Sequence, residues 1–423
     1  MFRLREFLLS SASLGTSQAV TAGVGFVFWY LAAHLFAQAE VGVASAVISA
    51  MSLVGAVGAM GLGTLLIYEI PRRPGREMGM IAASLAGSMA IGAVLGLVFV
   101  VIAPLLSAEL VPVRASILMV VTVALGAGLT SASLVIDQAV IGLMRSGLQL
   151  VRNVLAAVGR LGLLAAFGLI GAGAGALAMV GAWVVAVGLS MLALGAYSAW
   201  RGSLRRSYPL HWEFLGEQRG NALRHHLLNL AIQLPGWAMP VIALTVLSAR
   251  VNAGFYFAWL LVGFASFVLA SFVWVLYASA VREPGSMARW GWVSLRLSGA
   301  AALVGAIGLM VFGPWVIEIF GRGYAEVARG AFVVLPLTLF PTVIKGHYVT
   351  INRVRGTVGA ASWLVSGGAV LEMLGGWVGA SAGGLIGLGI GVVTAMVLET
   401  ILMLPLVIET IIRPQLAGKP SEA

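Results

Sequence analysis

From position 8 to position 411 the chain is a succession of apolar runs punctuated by Gly, Pro or Arg. Each run is close to the ~20 residues that carry a helix across a bilayer. A helix is the form such a run must take in lipid, where no water meets the backbone N–H and C=O groups; only helices and closed barrels satisfy them internally. The runs fall near 8–36, 41–68, 78–104, 114–143, 150–170, 174–200, 223–248, 252–280, 290–319, 328–351, 356–379 and 383–411. They predict an all-α integral membrane protein with about twelve transmembrane helices. Boundaries blur at the tight connections "GAGAG" (171–175) and "GASAGG" (379–384).

Composition agrees. The 423 residues are 60% hydrophobic and 9% charged, with a mean hydropathy of +1.03, whereas soluble domains carry about 25% charged residues. Cysteine is absent, which excludes disulfides and Cys-based metal sites. The net charge of +10 could suit a polyanion, but the basic residues cluster in the turns, where topology explains them and nucleic acid does not.

With the N-terminus inside, the inner turns hold Arg3, Arg5, Arg72, Arg73, Arg76, Arg145, Arg152, Arg201, Arg205, Arg206, Arg219, Arg224, Arg282, Arg289, Arg353, Arg355, Arg413 and Lys419. The outer turns hold only Arg114, Arg250, Arg322 and Arg329. This asymmetry places both termini in the cytoplasm and the protein in the cell membrane. The opening "MFRLREFLLSSASLGTSQA" is signal-like, but "GVGFVFWYLAAHLF" continues without a polar break, so an uncleaved first helix is expected. The longest polar connector is central. It divides the chain into a six-helix lobe (1–200), a cytoplasmic linker (201–222), a second six-helix lobe (223–412) and a tail (413–423).

The two halves resemble each other. "LFAQAEVGVASAV" after the first helix parallels "VLSARVNAGFYFAW" after the seventh, and a shift of 208 lays Arg114 on Arg322 and Arg145 on Arg353. The same shift lays Asp137, the only aspartate, on Lys345. Parallel repeats of this kind are a transporter plan with the substrate site between the halves. The acid and the lysine are then expected to face each other across it.

The turns "LFAQAEVGVASAVISA" and "IFGRGYAEVARGAFVVLPLTLF" and the mid-chain "LLNLAIQLPGWAMPVIAL" carry a family likeness. They resemble the oligosaccharide flippases of the polysaccharide-export branch of the multidrug/oligosaccharidyl-lipid/polysaccharide (MOP) exporter superfamily. The shared motifs are a Gly after an outer turn, "FG-x-x-Y" before the tenth helix and "P-x-x-x-x-P" in the seventh. The resemblance implies a MATE-like V-shaped bundle of two pseudo-symmetric lobes that moves lipid-linked glycans. It also implies membrane lipids and glycan polymerase or glycosyltransferase machinery as partners.

Ionisable side chains at membrane depth mark pathways or partners. Asp137, Arg160, Lys345 and Glu372 are deep, and Arg296, Glu318 and Glu399 less so; Glu372 and Glu399 could each pair with an Arg or carry a coupling proton. Thr130, Ser133 and Asp137 share one helix face; Thr338, Pro341 and Thr342 form a stripe with Lys345. Either charge could instead be satisfied by a neighbour within its own lobe. Ser10, Ser13, Ser17 and Thr21, with Gln18 beside them, line the first helix, while His225 or His226, Asn229 and Gln233 line the seventh, ahead of Pro235 and Pro240. These stripes suit a sugar-lined groove, and the prolines should bend the helix. Arg160 either snorkels to the surface or forks phosphate oxygens.

Candidate substrate-binding residues are therefore Lys345, Arg160, Asp137, Gln18, Asn229 and Gln233. The histidines lack ligand spacing and no nucleotide motif occurs, so no metal, cofactor or catalytic residue is expected. The leading expectation is a transporter, not an enzyme, that flips a polyprenyl-pyrophosphate oligosaccharide by alternating access. A cation-coupled drug or toxin extruder of the same fold would need a titrating carboxylate, and Asp137 would have to serve alone. A lipid II-type flippase usually carries two more helices. A glycan polymerase or ligase would carry a large outer loop bearing Arg and His. A sugar facilitator would carry an Asp where "EIPRRPGREMG" has none.

Overall fold

The computed structural model describes residue 23 and residues 25–169, 175–201 and 219–416. Gln18, Ser10, Ser13, Ser17, Thr21 and most of the expected linker lie outside them. Among the described residues the chain is helical throughout, without strands. The helices are α1 (Gly25–Leu35), α2 (Gln38–Gly58), α3 (Leu62–Glu69), α4 (Glu77–Leu106), α5 (Pro112–Ala115), α6 (Ile117–Gly142), α7 (Ser146–Leu169) and α8 (Gly175–Trp200). They continue as α9 (Arg219–Val246), α10 (Ala249–Arg282), α11 (Met287–Glu318), α12 (Arg322–Val334), α13 (Leu339–Arg355), α14 (Val358–Val407) and α15 (Arg413–Leu416).

Ten of the described helical segments are long and apolar enough to cross a membrane, which makes this a multi-pass membrane protein. The last of them, Val358–Gln415, holds two of the sequence runs, because Gly383 and Gly384 leave helical geometry and the chain doubles back there. Gly384 has φ +60° and ψ −143°, a conformation open to glycine alone. The arms of this hairpin touch backbone to backbone. A methyl on Gly375 would strike the Gly391 carbonyl, and one on Gly379 the Gly387 carbonyl. Such small-residue seams are how helices associate in lipid, where burying apolar surface brings no gain over the solvent. Adding α1 to the ten, and counting the hairpin twice, accounts for all twelve runs.

Two runs are internally broken. Residues 41–68 divide into α2 and α3 at Met60 (φ +49°) and Gly61 (φ +72°). The tenth run divides into α12 and α13 through a 3₁₀ turn at Leu335–Thr338, where Pro336 interrupts the ladder. In α9, by contrast, helical structure continues through both Pro235 and Pro240.

By packing, the chain divides into two compact units: Val27–Ala253, and the residues from Gly254 onward together with the described residues up to Phe26. This division comes later than the expected connector at 201–222, because α9 packs along α2. In the first unit α2, α4 and α6 meet through small residues, and Ser131 Oγ on α6 donates to the Gly55 carbonyl at 2.7 Å. In the second, α13 packs on α11 and α14. His347, fully buried, joins α13 to α11: its Nδ1 lies 2.7 Å from the Val343 carbonyl and its Nε2 3.0 Å from Ser294 Oγ. A carbonyl only accepts, so Nδ1 donates and the Ser294 hydroxyl donates to Nε2.

Candidate functional site: buried charge clusters inside the helix bundle

The second unit brings Lys345, Glu372 and Glu399 together. Lys345 Nζ on α13 donates to Glu372 Oε1 at 2.9 Å and to Glu399 Oε2 at 3.0 Å, both on α14. Side-chain exposures are 12%, 6% and 2% respectively. The geometry follows from two helix turns. Lys345 stands eleven residues before Gly356, and Gly368 eleven after Thr357. Gly368 in turn stands fifteen residues before Gly383, and Glu399 fifteen after Gly384. In antiparallel helices such positions share a level, so Lys345, Gly368 and Glu399 lie in one layer. Glycine at the middle position is what allows the contact, because a methyl there would collide with the Glu399 carboxylate. Glu372, one helical turn beyond Gly368, closes the cluster from the next layer. Its two carboxylates face one ammonium, and Glu399 Oε1 is buried with no hydrogen-bond partner.

The first unit holds a charge-balanced pair. Arg152 Nη2 donates to both oxygens of Asp137 at 2.7 Å, and its Nε to Oδ1 at 3.0 Å. Nη2 also reaches Asn153 Oδ1 at 2.8 Å. Arg152 is 3% exposed, so it is no inner-turn arginine, as its place near the start of a helix suggested. Its position was legible: Asp137 stands seven residues before Met144 and Arg152 seven after Arg145, so the α6–α7 turn sets them side by side. The expected pairing of Asp137 with Lys345 is thereby corrected. Each finds its counter-charge inside its own unit, where a helix neighbour supplies it without any conformational change.

The remaining candidates are dispersed. The Arg160 guanidinium lies over the Trp183 ring, 3.6 Å from its centroid, and Phe28 meets that ring edge-on at 5.5 Å. It is thus held by a cation–π contact. Asn229 is half-buried and Gln233 exposed, with Gln233 Nε2 at 3.5 Å from the Asn229 carbonyl. Thr130, Thr338 and Thr342 each donate to a carbonyl of the preceding turn, so their stripes are satisfied internally. Arg296 lies 5.8 Å from the Trp292 ring centroid, and Glu318 pairs with Arg329 at 3.7 Å on an exposed face. Among the described residues no cluster of His, Cys, Asp and Glu has the makings of a metal site.

No protein-family model and no curated relative matches the sequence. Solved structures do. One described as the inward-facing conformation of a multidrug resistance MATE family transporter of the MOP superfamily superimposes with a TM-score of 0.69 at 14% identity, over 97% of this chain and 99% of that one. The chain has the MATE fold. An outward-facing MATE family multidrug resistance transporter matches at TM-score 0.62 and 15% identity, over 98% of this chain and 96% of the other. A MOP superfamily transporter from Pyrococcus furiosus, described for the reversed polarity of its binding pocket, gives the same figures. The MATE fold thus runs through both units, and it carries the Lys345 cluster in one and the Asp137–Arg152 pair in the other.

Proposed function

We propose that this chain is a cation-coupled, alternating-access transporter whose cargo is a lipid-linked oligosaccharide, a polyprenyl-pyrophosphate glycan moved across the cell membrane. The observation that supports coupling is the Lys345–Glu372–Glu399 cluster. Two carboxylates against one ammonium leave one negative charge over, in a setting where an unbalanced charge is costly. Uptake of a proton or small cation restores neutrality, so the cluster's state follows the ion supply on whichever side it faces. The sequence offered Asp137, Glu372 and Glu399 as carboxylates for coupling, and of these Asp137 is neutralised by Arg152.

In this reading Lys345 answers the two glutamates, and the pyrophosphate falls to Arg160, whose guanidinium is oriented by Trp183 and has the fork geometry for phosphate oxygens. Gln18, Asn229 and Gln233 serve the sugars, the polyprenyl tail remains in lipid, and the polar turns face the glycan machinery in the cytoplasm. The cargo assignment is supported by the family likeness of the turns and of the "P-x-x-x-x-P" helix. Extrusion of lipophilic cations is the second reading, favoured by the same cluster and by the multidrug transporters that share the fold.

Purified protein in proteoliposomes separates the two. Glycan flipping that rises with an imposed proton or sodium gradient is the expected result. Gradient-driven movement of a cationic dye without glycan flipping would assign the extruder instead, and lengthening of the glycan would point to a polymerase. No movement of either cargo under any gradient would overturn the proposal.

A further inference from the structure

The repeat in the sequence and the packing in the structure disagree over one segment. The repeat groups α9 and α10 with the second half, whereas α9 and the start of α10, through Ala253, pack with α2. The helices pack closely, and three side-chain hydrogen bonds cross the outer end of the seam. Gln38 Nε2, at the start of α2, donates to the Arg250 carbonyl at 3.2 Å. Asn252 Nδ2 donates to the Gly42 carbonyl at 2.7 Å and to Ser45 Oγ at 3.1 Å. Gly42 lies so close to Ala249 that a methyl would overlap its carbonyl. Asn252 and Ser45 are fully buried. Aligning the halves on Gly42 and Gly254 lays Gln38 on Arg250, so the two residues that bond, 212 apart, are each other's repeat mates. Contact between mates is the signature of a two-fold axis, which places this seam where the two halves of the repeat meet.

We infer that the seam between α2 and the α9–α10 corner is a gate: a hydrogen-bonded latch, closed in this structure, that parts in each transport cycle. This rests on the alternating-access reading above. The chemistry suits a contact that must break. The Gly42 carbonyl lies inside a helix and accepts from the Ser45 hydroxyl at 2.9 Å as well as from the Asn252 amide, so it keeps a donor when the amide leaves. On parting, water replaces that bond at little net cost. Asn252 Oδ1 is buried without a partner, so the closed form carries an unsatisfied acceptor that opening relieves. By the arginine asymmetry, the turns that carry the latch face the outside, where water is available.

The chain has no cysteine, so a single thiol reports on the latch in the full-length protein in membrane vesicles. Ser45→Cys is close to isosteric and buried. A charged, membrane-impermeant methanethiosulfonate reagent should label it slowly, and labelling should accelerate about tenfold when Asn252→Ala removes the amide donor. Gly42→Ala, which wedges the seam by volume, should accelerate it too. Ser131→Cys, buried on α6, should stay unlabelled in both backgrounds. Unchanged Ser45→Cys labelling in both variants, or a parallel rise at Ser131→Cys, would overturn the latch. The assay needs no cargo. If labelling follows the latch variants while no cargo moves, the transport reading fails and the gate stands.

Discussion

Arg152 meets the Asp137 carboxylate with two nitrogens in a nearly dry setting, so each charge is tolerable only because of the other. Removing one member of such a pair costs about 3–5 kcal/mol, because the survivor is stranded. Arg152→Met is therefore expected to lower the melting temperature in detergent, and Asp137→Asn in the same chain to restore much of it. A double variant no more stable than Arg152→Met alone would contradict the pairing. The Lys345 cluster differs in setting two carboxylates against one ammonium. Glu372→Gln removes the excess negative charge while leaving a hydrogen-bonding side chain. The protein should fold normally, yet cargo flux should lose its dependence on the imposed gradient. Retention of full gradient dependence would separate the cluster from coupling. Lys345→Ala leaves two carboxylates facing each other and should abolish flux, whereas Lys345→Arg keeps the charge and should retain part of it.

At the scale of the element, the α14 hairpin depends on glycine in two distinct ways. Gly384 supplies a backbone conformation that a side chain would strain. Gly375, Gly379, Gly387 and Gly391 instead supply proximity, since their backbones touch. Gly379→Val should splay the arms and pull Glu399 away from Lys345, although the substitution is distant from either residue in sequence. The expected outcome is a lower melting temperature together with weakened gradient dependence, both read in the assays above. A destabilised variant with intact coupling would show that the cluster does not rely on the hairpin seam. Helix α9 gives a contrasting lesson. Its two prolines predicted a bend, and the helix stays continuous through both, as neighbouring helices in a membrane allow.

At the scale of the whole molecule, the arginine asymmetry predicts a cytoplasmic 201–222 connector. A protease site inserted near Glu217 should be cut in inverted vesicles and resist cleavage in intact cells. Cleavage from the outside would reverse the topology and every side assigned above. The MATE fold over almost the whole chain at 14% identity indicates how little sequence this architecture requires. What it does require is a set of apolar runs of the right length, broken by small residues where helices must approach.

Fold class and helix count were legible without coordinates because lipid imposes them directly. A run of apolar residues in a bilayer has one stable backbone form, and its length counts the crossings. That Asp137, Lys345 and Glu372 stand inside helical runs was legible for the same reason. The partner of each charge was decided only by tertiary structure, because a bond between helices depends on which turn sets which residues at one level. For Asp137 and Arg152 the turn symmetry was present in the chain. For Lys345 and Glu399 it ran through Gly368, a residue that marks the site only by the side chain it lacks. The seam held by Gln38, Gly42 and Asn252 left no trace in hydropathy, since three polar contacts at helix ends do not alter an apolar run. Helix packing alone placed them face to face.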